Sequence, residues 1–176
     1  MYAVAAIFFV TIWTASPILA SDYPEKGFTK LPDPPNAPDL HIDDITGKLR
    51  TIDDFKGKPF VVHFWATWCA PCRRELPALE KAHQFLKLHG ISVLAVNIGE
   101  TEDHVRKFLS DRSLSFPILI DPLASLRKPW QLQGMPTSYV VDSRGRIVLG
   151  AIGEINWANK RVLNQILFLK RTSSLK

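Results

Sequence analysis

Only two cysteines occur among the 176 residues, too few for a domain stapled by several disulfides or for a four-cysteine zinc site. No charged side chain appears before Asp22, so all 22 Lys and Arg and all 17 Asp and Glu fall downstream. The basic residues lie in scattered pairs such as Arg73–Arg74 and Lys160–Arg161, with acidic residues between them. There is no basic run interleaved with aromatics, which excludes an extended nucleic-acid interface. The five histidines lack the paired spacing of a metal site. A hydrophobic content of 46% excludes whole-chain disorder. What is left is one small domain with an N-terminal appendage and a basic, soluble surface.

The appendage has its own logic. An apolar core from Ala3 to Trp13 is followed by Pro17, a helix breaker, and by small Ala20. This pattern resembles a secretory signal peptide over residues 1–20, although no Lys or Arg precedes the apolar core. The same stretch also has about the length needed to span a bilayer, so an uncleaved membrane anchor is the second reading. A buried core helix is a third, which leaves the proline and small-residue pattern unexplained. Either export route places the domain in the bacterial periplasm or at the extracytoplasmic face, an oxidising environment. Residues 21–36 contain Pro24, Pro32, Pro34 and Pro35 with little apolar content, which predicts an extended linker. The folded domain is expected over 37–176.

Within it, short β segments around Asp39–Ile42 and Lys48–Arg50 flank a turn at Thr46-Gly47, which predicts a hairpin. Phe60–Trp65 and Ile91–Val96 are near-continuous apolar runs, as central strands buried on both faces require. Leu76, Leu79, Ala82 and Leu86 mark one face of a helix ending near Gly90, bent at Pro77. Val105, Phe108 and Leu109 recur at helical spacing before a short strand at Pro117–Ile120. Two further strands, Thr137–Val141 and Arg146–Leu149, are joined by Asp142-Ser143-Arg144-Gly145, and an amphipathic helix closes the chain. This order predicts an α/β three-layer domain with a mixed central sheet flanked by helices.

Cys69 and Cys72 stand where the first central strand runs into a helix. A sulfur at a helix N-terminus meets unpaired N–H groups and the positive dipole end, both of which favour thiolate. Cys72, one turn on, is within reach of a mixed disulfide on Cys69. Cys69 is therefore expected to attack and Cys72 to resolve, with Pro71 stiffening the first turn. A purely structural bridge closing so short a loop would stabilise little, and a zinc site would need two further ligands.

At this point the stretch Phe64-Trp65-Ala66-Thr67-Trp68-Cys69-Ala70-Pro71-Cys72-Arg73-Arg74-Glu75-Leu76-Pro77 resembles the active site of the TlpA/ResA-like thiol–disulfide oxidoreductases. These are exported members of the thioredoxin superfamily, of the AhpC/TSA-Redoxin type, and the likeness runs from about Ala37 to Leu169. It implies a thioredoxin-like fold, no bound cofactor beyond the redox-active Cys69–Cys72 pair, and protein thiol/disulfide clients. It also implies a cis proline beside the cysteines at Gly134-Met135-Pro136-Thr137, which assigns Met135, Pro136 and Thr137 to substrate docking, with Trp68 on the same side; an ordinary loop proline is the plain alternative. Trp65 and Trp68 are expected to pack around the disulfide.

A glutamate at Glu100 is the family's candidate for proton transfer with Cys72, the alternative being an ordinary helix-start residue. His63 stands where a buried aspartate is common in the wider superfamily, and is either a tuning group for the thiols or a hydrogen-bonded core histidine. The resemblance further implies a monomer that acts as a reductant, supplied with electrons by a membrane protein of the DsbD/CcdA type. Its clients would be apocytochrome c or copper-delivery proteins. A peroxiredoxin-type thiol peroxidase and a copper-binding chaperone are the alternative functions.

Overall fold

The computed structural model describes residues 27–173, with side chains through residue 169, so both the signal-or-anchor segment and the start of the linker lie outside the described residues. Eight strands and three α-helices follow in the order β1 (Thr29–Lys30), β2 (His41–Asp43), β3 (Leu49–Thr51), β4 (Phe60–Trp65), α1 (Ala70–Leu88), β5 (Ser92–Ile98), α2 (Glu102–Leu109), β6 (Ile118–Asp121), β7 (Thr137–Val141), β8 (Ile147–Ile152) and α3 (Lys160–Ser173). A 3₁₀ turn at Ile52–Phe55 leads into β4.

Six strands form one mixed sheet in the order β1-β8-β7-β4-β5-β6. β4, β5 and β6 run parallel, whereas β7 pairs antiparallel with β4 and β8 pairs antiparallel with both β7 and β1. All six residues of β4 are buried, as expected for a strand covered on both faces. Odd-numbered side chains of β4, such as Val61 and Trp65, pack with Leu76 and Leu79 of α1, Val105 of α2 and Ile166 of α3. Even-numbered ones, Val62 and Phe64, join Leu40, Phe55 and Trp130 on the opposite face. The helices thus cover one face, while the hairpin region and the turn-rich segment 122–132 cover the other.

The predicted hairpin is β2–β3, with Ile42 opposite Arg50. Asp44 organises its turn: one carboxylate oxygen accepts from the Thr46 and Lys48 amides and the other pairs with Arg50 at 2.7 Å, holding the carboxyl at a pKa of about 2. α1 passes through Pro77 as a single 19-residue helix.

One expectation is corrected. From Gly27 onward the supposed linker is part of the domain. Thr29 and Lys30 pair with Gly150 and Leu149 at the sheet edge, Ile147 donates to the Pro35 carbonyl, and Ala37 to the Gly145 carbonyl. Phe28 is buried with its ring edge-on to Trp157, centroids 5.8 Å apart. Prolines are tolerated there because an edge strand leaves its outer N–H positions unpaired. Phe28→Ala is expected to destabilise the domain by about 3–5 kcal/mol in urea unfolding. An unchanged midpoint would restore the tether reading.

Candidate active site

The site is built where β4 ends. Strand pairing on both sides of β4 aims the chain out of the sheet at Ala66–Trp68, and α1 begins immediately after. Cys69 is the N-cap of α1; its sulfur accepts from the Cys72 amide at 3.3 Å, so the sulfur occupies the place of a capping oxygen. Pro71 lies in the first turn, where its missing N–H costs no ladder bond. Cys69 and Cys72 are joined as a disulfide with Cα atoms 5.2 Å apart. Cys72 is fully enclosed, whereas Cys69 is 4% exposed.

Three segments surround the pair. The Met135–Pro136 peptide is cis, as the resemblance implies. Beside it, Trp68, Ile98, Arg127, Leu132, Gly134 and Met135 line a pocket of about 120 Å³. Trp65 is buried against Phe108, but Trp68 is 65% exposed, so it does not pack around the disulfide and instead forms a wall of this pocket. Thr137 requires the opposite correction. Its side chain is fully buried and donates to the Gly134 carbonyl at 2.7 Å, because β7 is already paired on both edges at this residue. The Thr137 side chain therefore braces the Gly134–Pro136 turn from inside and is not on the surface.

Glu100 precedes α2, just after Gly99, whose φ of 79° turns the chain back toward β4. Its carboxylate accepts from the Thr67 amide at 2.7 Å, the Thr67 hydroxyl at 2.5 Å and the Asn97 amide at 2.8 Å, with the His104 ring 3.4 Å away. Through Thr67, Glu100 thus holds the loop that carries Trp68 and Cys69. Arg73 closes the same loop by donating to the Thr67 carbonyl.

Beneath the disulfide lies a residue that sequence reasoning did not single out. Glu75 follows Cys72 by three positions on α1, hence on the same helix face, and is 3% exposed. Burial raises its carboxyl from the usual 4.5 to about 7, against the lowering effect of the Ile155 amide, which donates to it at 2.9 Å. The signal was present: position 75 adjoins the apolar stripe of Leu76 and Leu79, but it closes the charged run Arg73-Arg74-Glu75, which reads as a solvated face. Opposite stands His63, completely buried, its Nε2 3.5 Å from the Glu75 Oε1 and its Nδ1 3.0 Å from the Ser138 hydroxyl. Burial lowers the imidazole to about 3, so at neutral pH it carries no charge. His63 is thus a hydrogen-bonded core histidine that also faces the site's buried acid.

These two shifts act on stability in opposite senses. Glu75 binds its proton more tightly folded than unfolded, so its contribution to stability falls as pH rises from 4.5 to 7. His63 binds its proton more weakly folded, so its contribution rises from pH 3 to 6.5. Replacing Glu75 by Gln removes only the first. The difference in unfolding free energy, Glu75→Gln minus wild type, is therefore expected to grow by on the order of 3 kcal/mol between pH 4.5 and 7 in urea titrations. A constant difference across that range would contradict a buried, proton-retaining Glu75.

Comparison with known proteins agrees with this geometry. The chain is 34% identical over 111 residues to the thiol-disulfide oxidoreductase ResA of Geobacillus thermodenitrificans, a match covering 63% of this chain and 64% of that relative, so it spans just under two thirds of the relative's length. Among solved structures, a candidate thiol:disulfide interchange protein DsbE from Chlorobium tepidum superposes with a TM-score of 0.73 at 29% identity, covering 79% of this chain and 98% of that one. A secreted thiol-disulfide isomerase from Corynebacterium glutamicum superposes with a TM-score of 0.71 at 27% identity, covering 90% and 97%. The AhpC/TSA family profile matches residues 35–149, most of the described domain. With its thioredoxin-like sheet, cis proline and helix-capping cysteine pair, the chain belongs to the AhpC/TSA family.

Proposed function

We propose that this protein is a thiol–disulfide oxidoreductase that exchanges its own cysteine pair with disulfides of protein clients, in the manner of the ResA- and DsbE-named proteins it resembles. The observation that carries the reading is the disulfide at the N-terminus of α1, with Cys72 enclosed, Cys69 slightly exposed and the cis Met135–Pro136 peptide leading into the strand that pairs with β4. In the reductive direction the Cys69 thiolate attacks one sulfur of a client disulfide. A Cys69–client S–S bond forms, the client S–S bond breaks, and the departing client sulfur takes up a proton. Cys72 then loses its proton, toward Glu75 one turn along the helix, and attacks the Cys69 sulfur. The mixed disulfide breaks, the second client sulfur leaves as a thiol, and Cys69–Cys72 is oxidised as the client gains two electrons and two protons.

Met135 and Trp68 line one pocket, and this side, with the adjoining Pro136, is the one assigned to the client chain. Glu100 holds the Thr67–Cys69 loop through Thr67, and the proton exchange with Cys72 that the resemblance implies for it is the alternative to the Glu75 route. The reductive direction, a membrane electron donor of the DsbD/CcdA type and clients such as apocytochrome c or copper-delivery proteins rest on the resemblance, as does a monomeric state. Export rests on the charge-free segment 1–20, and a reductant outside the cytoplasm needs electrons from across the membrane. No helix among the described residues is long and apolar enough to cross a membrane.

Wild type is expected to reduce a small disulfide peptide, and Cys69→Ala to lower the rate by about a thousandfold or more, with negligible consumption of hydrogen peroxide by either. Equal peptide rates, or peroxide turnover exceeding disulfide exchange, would overturn the proposal.

A further inference from the structure

His63 Nε2 and Glu75 Oε1 are two buried polar atoms with no hydrogen-bond partner of full geometry, and they face each other across 3.5 Å. Burying either atom without a partner is costly, and the two lie within reach of each other. The surroundings isolate the pair. Trp157 stands edge-on to the imidazole at 6.2 Å, with its indole N–H turned toward the Glu75 carboxylate. The Ile155 amide fixes the other carboxylate oxygen. The charged groups near Glu75 are Arg74 and Glu154, which pair with each other at 2.6 Å on the exposed side of the helix and act on Glu75 in opposite senses. Behind His63, Ser138 of β7 is fully buried, and its hydroxyl is the partner of Nδ1.

A neutral imidazole carries one N–H and one lone pair, and a hydroxyl both donates and accepts. Two arrangements therefore pair both ring nitrogens and the Glu75 oxygen that faces them. With the proton on Nε2, His63 donates to an ionised Glu75 while Nδ1 accepts from the Ser138 hydroxyl. With the proton on Nδ1, His63 donates to the Ser138 oxygen while Nε2 accepts from the O–H of a protonated Glu75. The imidazole stays uncharged in both, as its complete burial demands.

We propose that Ser138, His63 and Glu75 form a tautomer switch, in which His63 is a positioning residue that changes from donor to acceptor whenever Glu75 takes up the proton released by Cys72. The inference rests on the exchange chemistry proposed above and adds the device that lets a buried carboxyl change charge without stranding a polar atom. The balance is one proton: Cys72 S–H becomes thiolate, Glu75 becomes the acid, and the imidazole proton moves from Nε2 to Nδ1 as the Ser138 hydroxyl reverses. Re-ionisation of Glu75 after the client leaves restores the starting arrangement. Because Ser138 lies two residues beyond the cis proline, the switch joins the docking strand to the active-site helix.

Nitrogen-15 spectra of the His63 ring in the full chain, followed from pH 5 to 9, test this directly. The disulfide form is expected to pass from the Nδ1–H to the Nε2–H tautomer with one midpoint and no imidazolium. Reduction with a small dithiol moves that midpoint to higher pH, because a thiolate beside Glu75 favours its acid. Glu75→Gln abolishes the transition and leaves one tautomer. A single tautomer throughout in wild type, a ring that becomes charged, or a midpoint indifferent to reduction would each overturn the switch. The readout does not use turnover. A protein inactive in exchange that still shows the redox-linked transition supports the switch while removing the proposed function, and an active protein without it does the reverse.

Discussion

A sulfur used as a helix cap is the constraint on which the rest of this structure depends. For the Cys69 sulfur to meet the first free N–H groups of α1, the helix must begin at once where β4 ends, and β4 must be rigid enough to hold that junction. Rigidity comes from pairing on both edges and burial on both faces. The same position buries Cys72 one turn inward and leaves Cys69 slightly exposed, which is what the proposed exchange needs. Division of labour between the cysteines follows from their place on the helix, without any further group being needed to distinguish them.

The junction is held from two sides by carboxylates with opposite surroundings. Glu100 lies among donors, the Thr67 amide and hydroxyl and the Asn97 amide, and fixes the loop before Cys69. Glu75 lies below, short of donors and desolvated, and so retains its proton near neutrality. The second arrangement favours a carboxyl that can change state near neutrality.

Much of this was legible in the chain. Phe60–Trp65 and Thr137–Val141 form strands with the expected bounds, because runs of β-formers buried in mid-sheet leave no alternative partner. The cysteine pair and the cis proline were readable from local motif and family resemblance. The arm at 27–36 was not, since five prolines over residues 22–38 mask one buried aromatic, Phe28, whose partner Trp157 is 129 positions away. Thr137 is buried because motif position does not say which side of a paired strand faces the core, and Trp68 is exposed because it lies in the loop beyond the end of β4. Glu75 escaped notice for the complementary reason, as burial of a charged residue depends on His63 and Ile155, which only the fold brings near.

The central claim is that Cys69 attacks and Cys72 resolves. Mass spectrometry of the Cys72→Ala and Cys69→Ala variants, each reduced and then mixed with a disulfide-bonded client peptide, tests it most directly. The account predicts a stable peptide adduct on Cys69 in the first variant and almost none in the second. Adducts on Cys72 in preference to Cys69, or none on either, would contradict it.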